Sequence, residues 1–566
     1  MASHDWWYFD DPARFKLERE ELNELAARSE WLTLGELRVN GNLRLEQEFE
    51  VNLGHRQVAF ILRYPDSFPF SPPSVFPRDE QYRLSGHQYG PGGELCLEYR
   101  ADNWSPEFKG WQLVQSAYNL LSGENPAPGE RGEVPSAHAL TEGQRTRTSA
   151  SRLVMNSNLA VVFEALPEGF PITGDAYVNI RSQNRVFFIT SLGEAGRFYN
   201  DESVPALIRE DGLQRTVRIT RVDAAAMLPD TETREVFVAT AAPLGWQPED
   251  QLFVVLQDGE IVVYRVYDTW VDNVTVLPPE PNVARSGHDH EPLNAKRVGM
   301  VGCGSLGSKV AAMLARVGVV DFVLVDDDLF LPGNVERNDL DWRDVGLHKA
   351  SAVGEKLQRI RTGVKTNVLR RQLGGQESST ASEGTMAALS HCDLIFDATA
   401  NPVAANILSQ FATRIPVVWA EIYAGGVGGM IARHRPGKEP PMDLMRRAVD
   451  NWFREKDVPV PRADVDYGQR QGDVTMIADD ADVSAIAAPA TRLAIDTLLA
   501  REPSYFPNSM YIIGLSPCPL FEQPFVTYPI DLPEPPPVAE APALSDDERR
   551  EELTRIVDMF QRLRNA

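Results

Sequence analysis

The sequence predicts a multi-domain α/β protein whose C-terminal half contains a doubly wound sheet. The chain has 566 residues, which is more than one hydrophobic core accommodates. An apolar run at 298–301 leads into a glycine-rich turn, a helical pattern and a second apolar run at 322–325, which is the order strand, turn, helix, strand. Near the N-terminus, a helical pattern precedes alternating strand patterns and a predicted helix at 111–121, which indicates a separate unit.

Composition and patterning predict four parts and a cytoplasmic protein. The parts are an N-terminal domain at 1–145, a β-rich connector at 146–290, the doubly wound domain at 291–540 and an amphipathic helix at 541–566. A net charge of −25 argues against binding to nucleic acid or to anionic membranes. No apolar run approaches the roughly 18 residues of a membrane helix, and the N-terminus lacks signal-peptide character. Four scattered cysteines fit a reducing compartment.

The N-terminal domain combines a proline-rich stretch with one cysteine. The order of motifs is Phe-Pro-Phe-Ser-Pro-Pro at 68–73, then His87, then Cys96 and Glu98, then Trp-Ser-Pro at 104–106. Such proline density forbids regular structure. A lone cysteine between leucines is by itself more often a buried apolar residue than a nucleophile.

This order of motifs resembles the ubiquitin-conjugating fold over nearly the whole N-terminal domain. The resemblance implies an α+β fold in which Cys96 carries a modifier as a thioester that an amine attacks. Glu98 falls where the family often has an Asp that prepares the amine, and His87 matches the His of the family's His-Pro-Asn signature. Gln88 and Tyr89 replace the Pro and Asn, and the Tyr89 hydroxyl is a candidate donor in place of the Asn. The alternative is an inactive scaffold domain.

The connector shows no cluster of catalytic residue types. Its strand-forming runs lie at 186–190, 216–222, 236–239, 252–256 and 261–267. Asp258-Gly259 between the last two runs predicts a hairpin turn. We expect a spacer between the flanking domains, and a partner-binding role stays open.

A glycine-rich turn and an acidic run predict a nucleotide site in the C-terminal half. Gly302, Gly304 and Gly307 follow the first strand, and the second strand ends at an acidic run that includes Asp326 and Asp328. Glycines let a nucleotide approach the backbone, and a helix N-terminus offers N–H groups to phosphate. The glycine pattern alone fits a dinucleotide oxidoreductase as well as an ATP-using enzyme.

Charged residues downstream favour adenylation. Asn334 and Arg337 follow the acidic run, Lys349 comes next, and Asp397 ends a third apolar run at 394–396. A carboxylate is a poor electrophile, so it is activated by attacking the α-phosphate of ATP and expelling pyrophosphate. Arg337 and Lys349 would offset the phosphate charge, and Asp397 would bind Mg²⁺. The alternative is a structural unit with solvated charges.

The segment resembles the adenylation domain shared by ThiF- and MoeB-like proteins and ubiquitin-activating enzymes. The resemblance implies that the glycines form the nucleotide loop, that the acidic run binds ribose through Asp326, and that ATP and Mg²⁺ are the cofactors. The residues implied to contact phosphate or metal are Asn334, Arg337, Lys349 and Asp397. Many relatives have a second acid where Ala400 stands. Sulfur-carrier relatives have zinc-binding cysteine pairs where this chain has Met442 and Met445, so we expect no structural zinc. Related domains form homodimers, and we expect one here.

Three cysteines in this half are candidates for a transfer thiol. Cys303 lies inside the glycine loop, where an acyl group would collide with the nucleotide. Cys392 precedes an apolar strand, where burial would raise its pKa. Cys518 lies between prolines in a segment expected to be exposed, so it is the preferred thiol, the alternative being an unreactive cysteine. The polar stretch 436–482, predicted to be a mobile crossover loop, contains no cysteine.

The order of domains resembles bacterial fusions of ubiquitin-conjugating and ubiquitin-activating modules, notably those of CBASS-type antiphage operons. The resemblance implies that the C-terminus of a cGAS/DncV-like nucleotidyltransferase is adenylated, passed to Cys518 and then to Cys96, and ligated to an amine. The alternatives are conjugation of a ubiquitin-like protein in a related operon, a sulfur-carrier adenylyltransferase, an NAD-dependent oxidoreductase and a pure scaffold.

The C-terminal residues predict one amphipathic helix. Ser545 and Glu548 form a capping-box pattern, and apolar residues recur from Leu553 to Leu563. We expect this helix to dock on its own chain or on a dimer partner.

Overall fold

The computed structural model describes residues 6–79, 83–90, 92–124, 132, 134–135, 141–147, 149–230, 233–279, 287–457, 478–535 and 545–564. They belong to two compact units, residues 1–148 and 149–566. The four-part division of the chain stays a prediction. Among the described residues, no helix is both long and apolar enough to span a membrane.

The first unit packs helices against an antiparallel sheet. Its helices are α1 (Trp7–Asp10), α2 (Pro12–Arg28), α3 (Gly110–Glu124) and α4 (Glu142–Arg145). Its strands pair in chain order and are β1 (Leu32–Val39), β2 (Leu45–Asn52), β3 (Gln57–Arg63) and β4 (Ser74–Pro77). Asp11 caps the N-terminus of α2, because its side chain accepts a hydrogen bond from the Arg14 N–H. Both long helices bury apolar residues against β2 and β3, so α3 confirms the predicted helix at 111–121.

The second unit begins with strands that close into a barrel. The strands are β5 (Ser151–Val154), β6 (Ile172–Arg181), β7 (Asn184–Leu192), β8 (Tyr199–Asn200), β9 (Leu213–Arg221), β10 (Leu252–Gln257), β11 (Glu260–Val266) and β12 (Val271–Leu277). Strand β5 pairs in parallel with both β12 and β7, which closes the ring, and β8 extends it from β7. Asp258 and Gly259 have positive φ angles at the β10–β11 turn, which confirms the predicted hairpin.

One predicted strand in this region is wrong. The helices of the barrel region are α5 (Ser157–Ala165), α6 (Ala206–Glu210) and α7 (Arg234–Ala241). Helix α7 contains the run 236–239, for which the sequence predicts a strand. Thr233 caps the helix by accepting a hydrogen bond from the Val236 N–H, and Phe237 is fully buried. A short β-branched run does not distinguish strand from helix, and here the cap and the buried face determine the outcome.

A mixed sheet organises the rest of the chain. Its strands are β13 (Arg297–Val301), β14 (Asp321–Val325), β15 (Lys365–Leu369), β16 (Leu394–Asp397), β17 (Val417–Ile422), β18 (Gly428–His434), β19 (Met510–Gly514) and β20 (Thr527–Pro529). The order is β15-β14-β13-β16-β17-β18-β19-β20, parallel through β17 and antiparallel beyond it. The chain therefore reverses its winding direction at β13, which brings the carboxyl ends of β14, β13 and β16 side by side.

Helices cover both faces of this sheet, which confirms the doubly wound prediction. They are α8 (Ser305–Val317), α9 (Lys349–Ile360), α10 (Ser379–Leu389), α11 (Pro402–Phe411), α12 (Met442–Glu455) and α13 (Asp480–Leu498). Val298 and Met300 pack toward α8, α9 and α13, whereas Val301 packs toward α10, α11 and α12. Successive strand side chains point to opposite faces, so a strand covered on both faces is apolar throughout.

The stretch 436–482 differs from the predicted mobile loop. It contains α12, in which Met442, Met445, Val449 and Phe453 are buried in the core. Their spacing of three and four residues forms one apolar helical face. Residues 458–477 of this stretch lie outside the described residues.

The last helix, α14 (Asp546–Arg564), has the predicted cap. The Ser545 backbone N–H donates to the Glu548 carboxylate at 2.8 Å, and the Glu548 N–H donates to the Ser545 hydroxyl at 3.3 Å. Leu553, Ile556 and Phe560 are exposed to solvent. The docking of this helix stays a prediction.

Candidate functional site

The glycine turn joins β13 to α8 and packs tightly against itself. Gly302 has a φ of +90° and its N–H donates to the Val325 carbonyl oxygen at 2.9 Å, which ties the turn to β14. A Cβ atom added to Gly307 would lie 2.0 Å from the Gly302 carbonyl oxygen, so only glycine fits there. A Cβ atom added to Gly304 would meet nothing within 4 Å.

Replacing Gly307 or Gly304 by alanine should affect the stability of the protein to very different extents. We expect Gly307→Ala to destabilise the protein by about 2 kcal/mol or more, since the clash with backbone exceeds the gain in helix propensity. Gly304→Ala should change stability by less than about 0.5 kcal/mol, because Gly304 has a φ of −72° and open space at its Cβ position. Differential scanning calorimetry of both variants measures this, and equal melting temperatures would show that the turn is not tightly packed.

Asp326 lies at the carboxyl end of β14 and contacts the glycine turn. One carboxylate oxygen accepts a hydrogen bond from the Cys303 N–H at 2.7 Å, and the other accepts one from the Asp328 N–H at 2.9 Å. Burial raises the pKa of Asp326, opposed by the Cys303 hydrogen bond and the nearby Lys349 charge. Each oxygen has a second lone pair, so the carboxylate can also accept from ribose hydroxyls.

Lys349 pairs with the acidic run. Its ammonium nitrogen lies 2.7 Å from an Asp328 carboxylate oxygen, and its backbone N–H donates to the Asp328 carbonyl oxygen. Asn334 accepts a hydrogen bond from the Leu331 N–H, which stabilises the turn before Arg337. Arg337 is half-buried, and its N–H donates to the Asn334 carbonyl oxygen at 3.3 Å. The predicted phosphate-contacting residues thus lie in the segment between β14 and α9 or at the first residue of α9.

Asp397 occupies the carboxyl end of β16, paired in register with Val301 at the start of the glycine turn. It is 2% exposed, and one oxygen accepts hydrogen bonds from the Thr399 hydroxyl at 2.6 Å and the Thr399 N–H at 3.0 Å. Burial raises the pKa of Asp397, while the Thr399 hydrogen bonds and the Arg446 charge lower it. Arg446 was not among the residues predicted from the sequence, because it lies on α12, in a stretch whose composition indicates a loop.

The groups at this edge of the sheet suit a nucleotide. The Lys349 ammonium group supplies positive charge, α8 presents its N-terminus beside the glycine turn, and Asp397 is a carboxylate of the kind that binds Mg²⁺. Within the described part of the chain, no three His, Cys, Asp or Glu side chains are grouped to hold a metal ion. Asp397 would hold the metal, and the remaining lone pairs at Asp326 would hold the ribose.

A second cluster surrounds Cys96 in the first unit. The Cys96 N–H donates to the His87 carbonyl oxygen at 2.7 Å. One Arg100 nitrogen donates to the Cys96 sulfur at 2.9 Å, and the other terminal nitrogen donates to the Tyr89 hydroxyl at 2.6 Å. Cys96 is half-buried. The structure thus brings the thiol together with Tyr89 and with Arg100, an arginine that the sequence-based prediction lacks.

The other predicted residues near Cys96 take different positions. A His87 ring nitrogen lies 2.7 Å from the Val134 carbonyl oxygen, so this ring is anchored to the segment after α3. Glu98 is exposed, its N–H donates to the Ser116 hydroxyl and its carbonyl oxygen accepts from the Asn103 side chain. No sequence signal marks Arg100, because it follows Cys96 by four positions in irregular chain, where spacing does not predict contact.

The remaining cysteines differ in burial. Burial raises the pKa of Cys303 well above its ordinary value, and burial raises the pKa of Cys392 to about 12, as predicted for a thiol before an apolar strand. Cys518 is half-buried rather than exposed, because it packs against the core beside Phe521, although Pro517 and Pro519 are exposed. Its N–H and carbonyl oxygen bond to the carbonyl oxygen and N–H of Phe521.

Comparison with known proteins finds one family model that matches part of the chain. Residues 281–460 match the model of the ThiF family. A stretch of 68 residues is 44% identical to the ATP-dependent ubiquitin transferase-like protein Cap2 of Enterobacter hormaechei subsp. hoffmannii (strain UCI 50) and covers 12% of this chain and 11% of that protein. The uncharacterized protein y4qC of Sinorhizobium fredii (strain NBRC 101917 / NGR234) is 25% identical over 43% of this chain and 40% of its own. The adenylyltransferase and sulfurtransferase UBA4 of Yarrowia lipolytica (strain CLIB 122 / E 150) is 27% identical over 23% of this chain and 31% of its own.

The chain therefore spans between 11% and 40% of the length of these relatives. The family match includes β13, the glycine turn, the acidic run, Lys349 and Asp397. Residues 281–460 of this longer chain are similar in sequence to the ThiF family.

Proposed function

We propose that this chain uses ATP to activate a protein C-terminus and transfers the acyl group as a thioester, through Cys96, to an amine. The observation that carries the proposal is the cluster at the carboxyl ends of β14, β13 and β16, where Asp326, Asp397 and the glycine turn meet inside the region that is similar to the ThiF family. The half-buried thiol of Cys96, with a guanidinium group at its sulfur, supports the transfer step.

The first step forms an acyl adenylate. A carboxylate oxygen of the donor protein attacks the α-phosphorus of ATP, and pyrophosphate leaves with the electron pair of the broken P–O bond. Lys349 and Arg337 stabilise negative charge on the phosphates, and Asp326 orients the ribose. Mg²⁺ bound at Asp397 would supply further charge neutralisation.

The later steps are acyl transfers between nucleophiles. The Cys518 thiolate attacks the adenylate carbonyl and AMP leaves, after which the Cys96 thiolate attacks and the Cys518 sulfur leaves. An amine then attacks the Cys96 thioester, the C–S bond breaks, and the proton of the amine passes to a base, for which Glu98 is the candidate. Holding both thiols in one chain raises their effective concentration.

The similarity to Cap2 favours a protein as the donor, because Cap2 carries the name of a ubiquitin transferase-like protein. We propose that the donor is the C-terminus of a cGAS/DncV-like nucleotidyltransferase and that the ligation serves antiviral defence. The similarity to UBA4 favours a second candidate, the adenylation of a sulfur carrier. The two differ at Cys96, which only the conjugation reaction requires.

ATP–pyrophosphate exchange tests the activation step. The chain is incubated with ATP, labelled pyrophosphate and a candidate donor, either a cGAS/DncV-like nucleotidyltransferase or a ubiquitin-like protein. We expect exchange with the free C-terminal carboxylate and none when that carboxylate is amidated. Exchange that is independent of the carboxylate, or no exchange with either candidate donor, would contradict the proposal.

A further inference from the structure

The guanidinium group of Arg100 is held against the Cys96 sulfur by a hydroxyl group. One terminal nitrogen of Arg100 donates to the sulfur at 2.9 Å and the other donates to the Tyr89 hydroxyl at 2.6 Å. The guanidinium carbon also lies 5.8 Å from the centre of the Tyr89 ring. The Arg100 backbone is fixed as well, because its N–H donates to the Asn103 side chain at 2.8 Å. Besides its contact with the sulfur, Arg100 therefore makes three contacts that fix the position of its guanidinium group.

We propose that Arg100 is a catalytic residue of the Cys96 site, which donates to the sulfur whenever that sulfur carries negative charge, and that Tyr89 is its positioning residue. The inference rests on the proposed function for its substrate, a thioester, but its geometry lies wholly within the first unit. Arginine suits this task because its planar guanidinium group stays charged and can donate to two acceptors at once.

The sulfur carries charge twice in the reaction. It attacks the incoming thioester as a thiolate, forming its own C–S bond while the donor C–S bond breaks and the donor sulfur takes the electron pair. When an amine later attacks, the C–S bond at Cys96 breaks, the Cys96 sulfur takes the electron pair, and the amine's proton passes to a base. A charge-assisted hydrogen bond from Arg100 stabilises the thiolate as nucleophile and as leaving group.

Alkylation of the full-length chain by iodoacetamide at pH 7.5 tests this proposal without ATP or a donor protein. The rate at Cys96 is followed by mass spectrometry of its peptide, and Cys518 in the same sample is the internal reference. We expect Arg100→Gln to slow alkylation of Cys96 about tenfold, since the variant loses a hydrogen bond to the charged thiolate, and such bonds are stronger than bonds between neutral groups. Arg100→Lys should recover part of the loss, and Tyr89→Phe should slow the reaction about threefold.

The double variant separates positioning from an independent role. If Tyr89 acts through Arg100, Tyr89→Phe combined with Arg100→Gln is no slower than Arg100→Gln alone. An Arg100→Gln rate within about twofold of the wild type, or effects that multiply in the double variant, would overturn the proposal. Slowed alkylation in a chain whose Cys96 never accepts an acyl group would support the stabilisation of the thiolate by Arg100 and would refute the proposed function.

Discussion

Replacing Asp397 by asparagine is expected to reduce ATP–pyrophosphate exchange by at least about 100-fold, since the neutral amide would hold Mg²⁺ weakly and the positive charge of the metal would no longer stabilise the phosphates in the transition state. The substituted side chain would keep both hydrogen bonds, because an amide oxygen can accept from the Thr399 hydroxyl and N–H groups as the carboxylate does. What the amide lacks is the negative charge that Mg²⁺ requires.

The same substitution should not lower the melting temperature at pH 7. Burial raises the pKa of Asp397, so the folded chain binds this proton more tightly than the unfolded chain does. The stabilisation that this carboxyl group contributes is therefore present at low pH and is lost as the pH rises through the raised pKa. Above that pH, the buried ionised carboxylate lowers the free energy of unfolding of the ligand-free protein. Asparagine removes that charge.

Asp393→Asn is the matched control. Asp393 lies just before the amino end of β16, where its carboxylate accepts from the Arg297 N–H and pairs with Lys296. This variant removes the same charge next to the same strand at the opposite edge of the sheet, so exchange should stay within about twofold of the wild type. Equal losses in both variants would show that net charge, rather than the site, controls exchange.

Replacing Cys518 by alanine is expected to stop transfer to Cys96 while exchange continues. Exchange requires only the adenylate, which forms before any thiol reacts, whereas loading of Cys96 would fall by at least about 100-fold without the intermediate thioester. The local structure should survive, because Cys518 bonds to Phe521 through its main chain and not through its sulfur.

Gel analysis of ATP-dependent Cys96 loading measures this difference, with Cys392→Ala as the control. Cys392 is buried, and its pKa of about 12 leaves it protonated at neutral pH, so its removal should not affect loading. A Cys518→Ala variant that still loads Cys96 from ATP would remove Cys518 from the pathway.

The C-terminal sheet could be predicted because each strand carries its own signal. Strands β13, β14 and β16 are continuous apolar runs that end at a glycine turn or an acid, and both features are local in sequence. The apolar face of α12 was also present in the sequence, but the surrounding prolines and charges concealed it.

The barrel depends on pairing between strands that are far apart in the sequence, and the Cys96 cluster depends on the path of an irregular segment. Closure of the barrel requires β5 to pair with β12 and β7, and neither pairing leaves a pattern in β5 itself. The contact of Arg100 with Cys96 depends on the path of an irregular segment held by hydrogen bonds with Asn103 and Ser116. Periodicity has no bearing on such segments, so a single sequence identifies the thiol and not its charged neighbour.

The most direct test of thioester formation at Cys96 is to determine the chemical state of this residue after ATP is added. The full-length chain is incubated with ATP and its candidate donor protein, separated without reductant, and mapped by mass spectrometry. We predict an ATP-dependent adduct on Cys96 that reductant removes and that Cys96→Ala abolishes, leaving only an adduct on Cys518. An adduct on Cys96 that forms without ATP, or no adduct on Cys96 after ATP is added, would contradict the proposed transfer.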